Sequence, residues 1–303
     1  MDDDQDNLER DKPAMRDFDY EAPTSVADAV GLLAKSNGSA RPLAGGTDLI
    51  DHVRTGRLTA DLIVDLKKIP ELMVLELNDK GLRLGAAVPC YQIYEHPGII
   101  EKYSAIADSS NIIGGMQIQN RASVGGNLAN AGAAADSTPA LIALDATVVI
   151  SGPSGTKELP VDQFCTGPGQ NILEPGEIIV ELKFPPRPPH SGSHYRRFIP
   201  RNEMDIAVVG VGASVVLDES GENFISARIG LGAVAAKPFY AEEASEALAG
   251  QPVSDEIIQK AAAAAKAIVH PITDMRGTQE FRTHVTGVLT ERVIKKAVER
   301  ARG

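Results

Sequence analysis

The chain has no tryptophan, only two cysteines, and 4% aromatic residues in all. With so few rings, the core must be assembled mainly from Ala, Val, Ile and Leu, within a hydrophobic fraction of 43% that suffices for a packed globular protein. Cys90 and Cys165 lie far apart and are too few to hold an iron–sulfur cluster, which takes four ligands; any cluster serving this chain would belong to another polypeptide. Basic residues are outnumbered, 30 against 41 acidic, and the net charge of −11 argues against nucleic acid and anionic membrane surfaces as partners. No apolar run approaches the ~20 residues that span a bilayer, and no secretory-type segment opens the sequence. The expectation is a cytoplasmic protein with free thiols and no membrane span.

Catalytic side-chain constellations are also missing. The six histidines, His52, His96, His190, His194, His270 and His284, show no metal-ligand spacing with Cys or carboxylates. No Ser–His–Asp set or carboxylate pair stands out, so neither catalytic nor metal-ligating residues are assigned. Such a chain suits chemistry done by a cofactor.

At 303 residues the chain is long for one core and suits two domains or one large one. The acidic run at the start, within residues 1–16, reads as a disordered tail. From Phe18 the pattern is α/β. Pro23-Thr24-Ser25 opens a helix that Gly38 ends, and a short strand at Arg41 runs through a glycine turn into a second helix. Leu62–Leu66 reads as a buried strand, and Met73–Ala86 as a hairpin turning at Asn78-Asp79-Lys80-Gly81. Tyr91–Ile113 is mostly helical, broken at His96-Pro97-Gly98. A helix at Thr138–Leu144 and strands at Thr147–Ser151 and Glu177–Phe184 follow. Residues 185–194, with four prolines in five positions, form the best linker, and His190 and His194 are read there as solvated. Beyond it come apolar strands at Ala207–Leu217 and Phe224–Val234, then helices at Ala241–Ala249, Asp255–Ile268 and Gly277–Arg302.

Two segments carry chemistry: Ala44-Gly45-Gly46-Thr47-Asp48-Leu49 and Ala122-Ser123-Val124-Gly125-Gly126-Asn127-Leu128-Ala129-Asn130. A glycine pair lets successive backbone N–H groups turn to one side, and without Cβ atoms a phosphate can approach. A following helix N-terminus adds partial positive charge. Either pair alone is best read as a tight turn; both together point to the two phosphates of one dinucleotide, held by amides without a lysine. Rivals are weaker. Gly152-Pro153-Ser154-Gly155-Thr156-Lys157 has the wrong spacing for a P-loop, and Gly230-Leu231-Gly232 lies inside an apolar strand, where glycine serves close packing. Asp136, read from its surroundings alone, is an N-cap or turn aspartate ahead of the helix.

The pair AGGTDL (Ala44–Leu49) and ASVGGN (Ala122–Asn127), with Asp136 and then Pro139-Ala140-Leu141, resembles the FAD-binding part of the molybdenum hydroxylases, which include carbon monoxide dehydrogenase and xanthine dehydrogenase. Asp274-Met275-Arg276-Gly277…Phe281-Arg282 is similar to that family's last helices. The resemblance implies an α+β chain: a two-part α/β FAD-binding domain of the vanillyl-alcohol-oxidase/carbon monoxide dehydrogenase flavoprotein type over 17–184, divided near residue 70, then an antiparallel sheet with a helical bundle over 195–303. It implies non-covalent FAD. Gly45, Gly46, Thr47, Asp48 and Leu49, flanked by Leu43, Ala44 and Ile50, would hold the pyrophosphate from one side. Ala122, Ser123, Gly126 and Asn127 would hold it from the other. Ala129, Asn130 and Asp136 would line the ribityl and ribose region, Ile113 would face the flavin ring, and Ile179 would join the site from the strand at Glu177–Phe184. Arg197 stands where some relatives place a flavin-facing lysine; a surface arginine is the equal alternative. Arg201–Ala207 is similar to a motif near the flavin edge, closer to its xanthine dehydrogenase form.

The family also implies partners: a large subunit with a molybdenum cofactor and a small one with [2Fe–2S] clusters, in a dimer of heterotrimers. Electrons would pass from the clusters through FAD to NAD, a quinone or another carrier. Two other functions compete. One is a self-contained FAD-dependent oxidase, which needs acid–base groups that are not evident here. The other is a colourless scaffold or nucleotide-binding subunit.

Overall fold

The structure, a computed structural model, describes residues 15–36 and 38–303. The expected acidic tail therefore lies almost wholly outside the described residues.

The first lobe holds β1 (Asp19–Glu21), α1 (Val26–Lys35), β2 (Ala40–Leu43), α2 (Leu49–Arg54) and β3 (Leu62–Asp65). Ser25 starts α1 by accepting the Asp28 N–H at 3.1 Å, and the helical spacing of Ala29, Val30 and Leu33 buries that face. The three strands form a parallel sheet in the order β1-β3-β2, so β3, with Ile63 and Val64 buried, is its centre.

The second lobe contains β4 (Leu75–Asn78), β5 (Gly81–Gly85), α3 (Cys90–Tyr94), α4 (Pro97–Lys102), α5 (Ser104–Ser110), α6 (Met116–Gln119), α7 (Val124–Ala129), α8 (Ser137–Ala143), β6 (Thr147–Gly152), β7 (Gly155–Pro160), the small hairpin β8 (Cys165–Gly167) and β9 (Gln170–Asn171), and β10 (Ile178–Phe184). Its main sheet is antiparallel, in the order β4-β5-β10-β6-β7. The β4–β5 turn forms where expected: Asn78 Oδ1 accepts the Lys80 N–H at 2.8 Å, and Gly81 takes φ +114°. Pro97 and Gly98, read as a break, instead open α4, because His96 Nδ1 accepts the Ile99 N–H at 3.3 Å and Pro97 fills a first-turn position.

The last part comprises β11 (Ser191–Phe198), β12 (Val209–Leu217), β13 (Phe224–Gly232), β14 (Phe239–Tyr240), α9 (Glu242–Glu246), α10 (Asp255–Ala267) and α11 (Gln279–Arg302). The strands form an antiparallel sheet in chain order, with α11 across β11 and β12 and α10 against α11. The opposite face receives α8, all seven of whose residues are buried. A Cβ on Gly212 would lie 2.6 Å from the Pro139 carbonyl oxygen, one on Gly230 3.0 Å from Pro139 Cα, and one on Gly232 2.7 Å from Pro139 Cγ. These strand glycines are thus space for a helix, which is why the loose dinucleotide fingerprint there has no nucleotide role.

The linker reading needs correcting at its end. Residues 191–194 belong to β11, paired in full register with β12. His194 is not solvated: its Nδ1 stands 2.5 Å from Asp108 Oδ2, and Arg300 grips the same carboxylate at 2.6 and 3.0 Å. Burial raises the Asp108 pKa, but the His194 and Arg300 hydrogen bonds and charges outweigh it and hold the carboxyl below its ordinary value. Arg187, inside the proline run, is half-buried and donates to Ser214 Oγ at 2.5 Å.

A cavity at the meeting of two glycine bends

The first bend follows β2. Gly46 takes φ +76°, where an L side chain is strained. Gly45 is constrained differently: a Cβ there would stand 2.7 Å from the Arg121 carbonyl carbon and 2.9 Å from Ala122 Cα. The second bend follows Ala122. Ser123 Oγ accepts the Gly126 N–H at 3.1 Å and starts α7. Gly125 is packed against Ala86, 2.5 Å from the Ala86 carbonyl oxygen at its missing Cβ, whereas the same construction at Gly126 meets only Ser123 Oγ, at 3.1 Å. The members of this glycine pair therefore do different jobs: Gly125 closes the lobe, and Gly126 stays open.

The bends touch. Arg121 Nε donates to the Gly45 carbonyl at 3.0 Å, and Asn130 Nδ2 to Asp48 Oδ2 at 2.6 Å. The backbone N–H groups of Gly45, Gly46, Thr47, Asp48 and Leu49 meet no protein acceptor among the described residues. Five consecutive unspent donors beside a cavity form a cradle for an anion. Both helices that follow have six residues, so individual amides, rather than a long helix dipole, supply the positive potential.

The cavity lies between the lobes and under the last part, and measures about 970 Å³. Every site position named from the sequence lines it except Leu43 and Ile50. Those two turn beneath the bend, 3.3 and 3.4 Å from where a Gly46 Cβ would sit, and belong to the first lobe's core. Ile113, Ile179 and the Met204-Asp205-Ile206 stretch contribute walls. Sequence reasoning missed Arg41, His52 and Arg57 at one end and Asn171 and Leu173 on the β9 side, none of which belongs to a motif.

Asp136 stands at the N-cap position of α8, but its side chain makes no capping hydrogen bond. Its Oδ1 accepts the Tyr195 hydroxyl at 2.8 Å and its Oδ2 accepts Arg197 Nη1 at 2.5 Å. Burial pushes this carboxyl up to about 6, against the charge of Arg197 and the two hydrogen bonds, which favour the ionised form. Tyr195 is itself buried, and burial beside Asp136 drives its hydroxyl well above its ordinary value. The Arg197 side chain is 6% exposed, so it is a cation of the cavity wall and not a surface arginine. Glycine at 210 makes room for this arrangement: a Cβ there would lie 2.7 Å from the Tyr195 hydroxyl oxygen.

A dinucleotide diphosphate fits this donor set, and the missing Cβ of Gly126 leaves the second bend open to it. Comparison with known proteins agrees. The family described as FAD binding domain in molybdopterin dehydrogenase matches residues 16–187, and the CO dehydrogenase flavoprotein C-terminal domain matches 193–297. The chain is 34% identical to the carbon monoxide dehydrogenase medium chain of Afipia carboxidovorans, over 94% of this chain and 98% of that one. It is 34% identical to a putative xanthine dehydrogenase FAD-binding subunit of Escherichia coli, over 95% and 99%. The solved carbon monoxide dehydrogenase of Oligotropha carboxidovorans superposes with a TM-score of 0.89 at 32% identity, over 94% of this chain and 99% of that chain. With both halves matched in order and the whole fold reproduced, this chain belongs to the family of FAD-binding flavoprotein subunits of molybdopterin-dependent dehydrogenases.

Proposed function

We propose that this chain is the electron-relay subunit of a multi-chain dehydrogenase, taking electrons from [2Fe–2S] clusters on a small partner and passing them to NAD, a quinone or another carrier. A large partner would hold the molybdenum cofactor and the oxidised substrate, and the assembly would be a cytoplasmic dimer of heterotrimers. FAD, when bound, supplies chemistry that accepts electrons singly and delivers them in pairs. The observation that carries the reading is the contact between the two glycine bends, beside the five unspent amides of the first.

In this reading the unspent amides of Gly45–Leu49 would hold the phosphates from one side, and the bend at Ser123, Gly126 and Asn127 would close on them from the other. Ala129, Asn130 and Asp136 would line the ribityl and ribose region, and Ile113 would exclude water at the ring. Arg197, fixed by Asp136, keeps a positive charge in the cavity wall. The two relatives named above are called after different substrates, carbon monoxide and xanthine, on one shared fold. That is expected when the oxidised molecule binds on another polypeptide.

Purification at native level, with a visible spectrum and metal analysis, tests this. Flavin with iron and molybdenum in one complex is the expected result. Flavin without metals and with unaided oxidase activity would replace the proposal with a self-contained oxidase. A colourless chain would end the flavin reading altogether.

A further inference from the structure

Electrostatics at one end of the cavity have no place in the motifs. The acidic wall residues are already engaged: Asp48 by Asn130, Asp136 by Arg197, Glu177 by Lys157 at 2.7 Å, and Asp205 by Arg201 at 3.3 Å. Arg41 and Arg57 also line the cavity, yet among the described residues neither lies within ion-pair distance of a carboxylate. Arg41 Nε donates to the Thr59 carbonyl at 3.2 Å, and its terminal nitrogens meet no acceptor among the described residues. Asp51, the nearest acid on α2, is occupied by Arg54 at 2.7 Å. His52 stands one helical turn beyond Asp48, its N–H bonded to the Asp48 carbonyl at 2.9 Å, and its own carbonyl accepts the Leu58 N–H at 3.1 Å. That contact folds the Arg57-Leu58-Thr59 segment back beside α2, and the Arg41 bond ties the same segment to β2. Three basic side chains thus gather next to the first bend, in a protein whose net charge is −11.

We propose that Arg41 and Arg57, alongside His52, form a basic rim of the cavity that recognises phosphate, the two guanidinium groups taking the diphosphate charge of the dinucleotide that the neighbouring amides hold. The inference rests on the FAD reading above and extends it to residues outside both glycine segments. Amides fix the position of phosphate oxygens but are neutral. Two guanidinium groups add the counter-charge and draw the anion in from solvent. The rim is open to water, so its contribution must fall with ionic strength, whereas the amide contacts are short-range and insensitive to salt.

The test uses the full chain, freed of flavin and titrated with FAD, following flavin fluorescence. Arg41→Gln/Arg57→Gln should weaken FAD binding about tenfold at low salt, and the gap from wild type should close to under about threefold near 0.5 M salt. Arg57→Lys should restore most of the affinity. Arg57 is exposed, so Arg57→Gln alone, expected to lose about threefold at low salt, stands in if the double variant is unstable. Unchanged affinity, or a loss that persists undiminished at high salt, overturns the rim. In either case a wild-type chain that still binds one FAD leaves the flavin reading intact. A wild-type chain that takes up no FAD overturns that reading, and this inference with it.

Discussion

Gly45→Ala is the sharpest probe of the seam between the bends. The new methyl would lie 2.7 Å from the Arg121 carbonyl carbon and 2.9 Å from Ala122 Cα. Carbon–carbon contacts settle near 3.5–4.0 Å, so the bends must part by roughly 1 Å. The obstructing atoms are backbone, and no rotamer change relieves them. Overpacking of this kind costs about 1–3 kcal/mol. Expressed in binding, at about 1.4 kcal/mol per decade, it weakens FAD roughly 5- to 150-fold. The same separation stretches the Arg121–Gly45 and Asn130–Asp48 bonds that register one amide set against the other. Gly31→Ala is the control: α1 has open space there, and replacing a helix-interior glycine should hold or slightly raise stability. The assay is FAD titration of the flavin-free chain beside its melting temperature. A Gly45→Ala chain that is folded, and binds FAD within about twofold of wild type, would refute the idea that both bends serve one diphosphate.

Gly230→Ala should cost about 1–3 kcal/mol, through a clash with the Pro139 backbone, and lower the melting temperature by several degrees; an unchanged melt would show that α8 is not wedged against the sheet. Asp136 has a carboxyl raised to about 6 when folded, so its contribution to stability is full below the unfolded value near 3.9 and is lost as pH rises through 6. Unfolding free energy should therefore fall by up to about 3 kcal/mol between pH 4 and 7 relative to Asp136→Asn, and parallel curves for the two proteins would contradict the buried-charge account. Arg300→Ala should destabilise by about 1–3 kcal/mol near neutral pH through its lost bonds to Asp108. Asp108 is held below its ordinary value, so its stabilisation exists above the unfolded pKa and vanishes as pH falls through the folded one; a deficit that failed to shrink below pH 4 in urea melts would count against the pair.

The glycine pairs were legible because backbone chemistry is local: consecutive glycines between a strand and a helix constrain the main chain wherever they occur. What separates Gly125 from Gly126 was not legible, since it depends on Ala86, 39 positions away. Leu43 and Ile50 illustrate the complement: they flank the bend in sequence, yet the turn at Gly46 folds both under it. Asp136 takes the N-cap position that short-range rules favour, but partners 59 and 61 positions away claim both of its oxygens and leave none for capping. His194 was misplaced because prolines dominate the composition of residues 185–194. The last of them is Pro189, and β-pairing begins two residues later. Arg41 and Arg57 follow no pattern at all; only the fold makes them neighbours.

The burial of α8 has a consequence for how the molecule can be divided. Asp136 stands at the start of this helix, and the sheet that grips Pro139 also carries Tyr195 and Arg197. Cutting the chain after Pro189 would leave one fragment with a naked, sticky ridge and the other with an empty glycine-floored trough. Neither piece should persist alone in water, and the two should re-associate when mixed. The cavity is thus built from both sides of the cut at once, and the first 189 residues alone do not complete it.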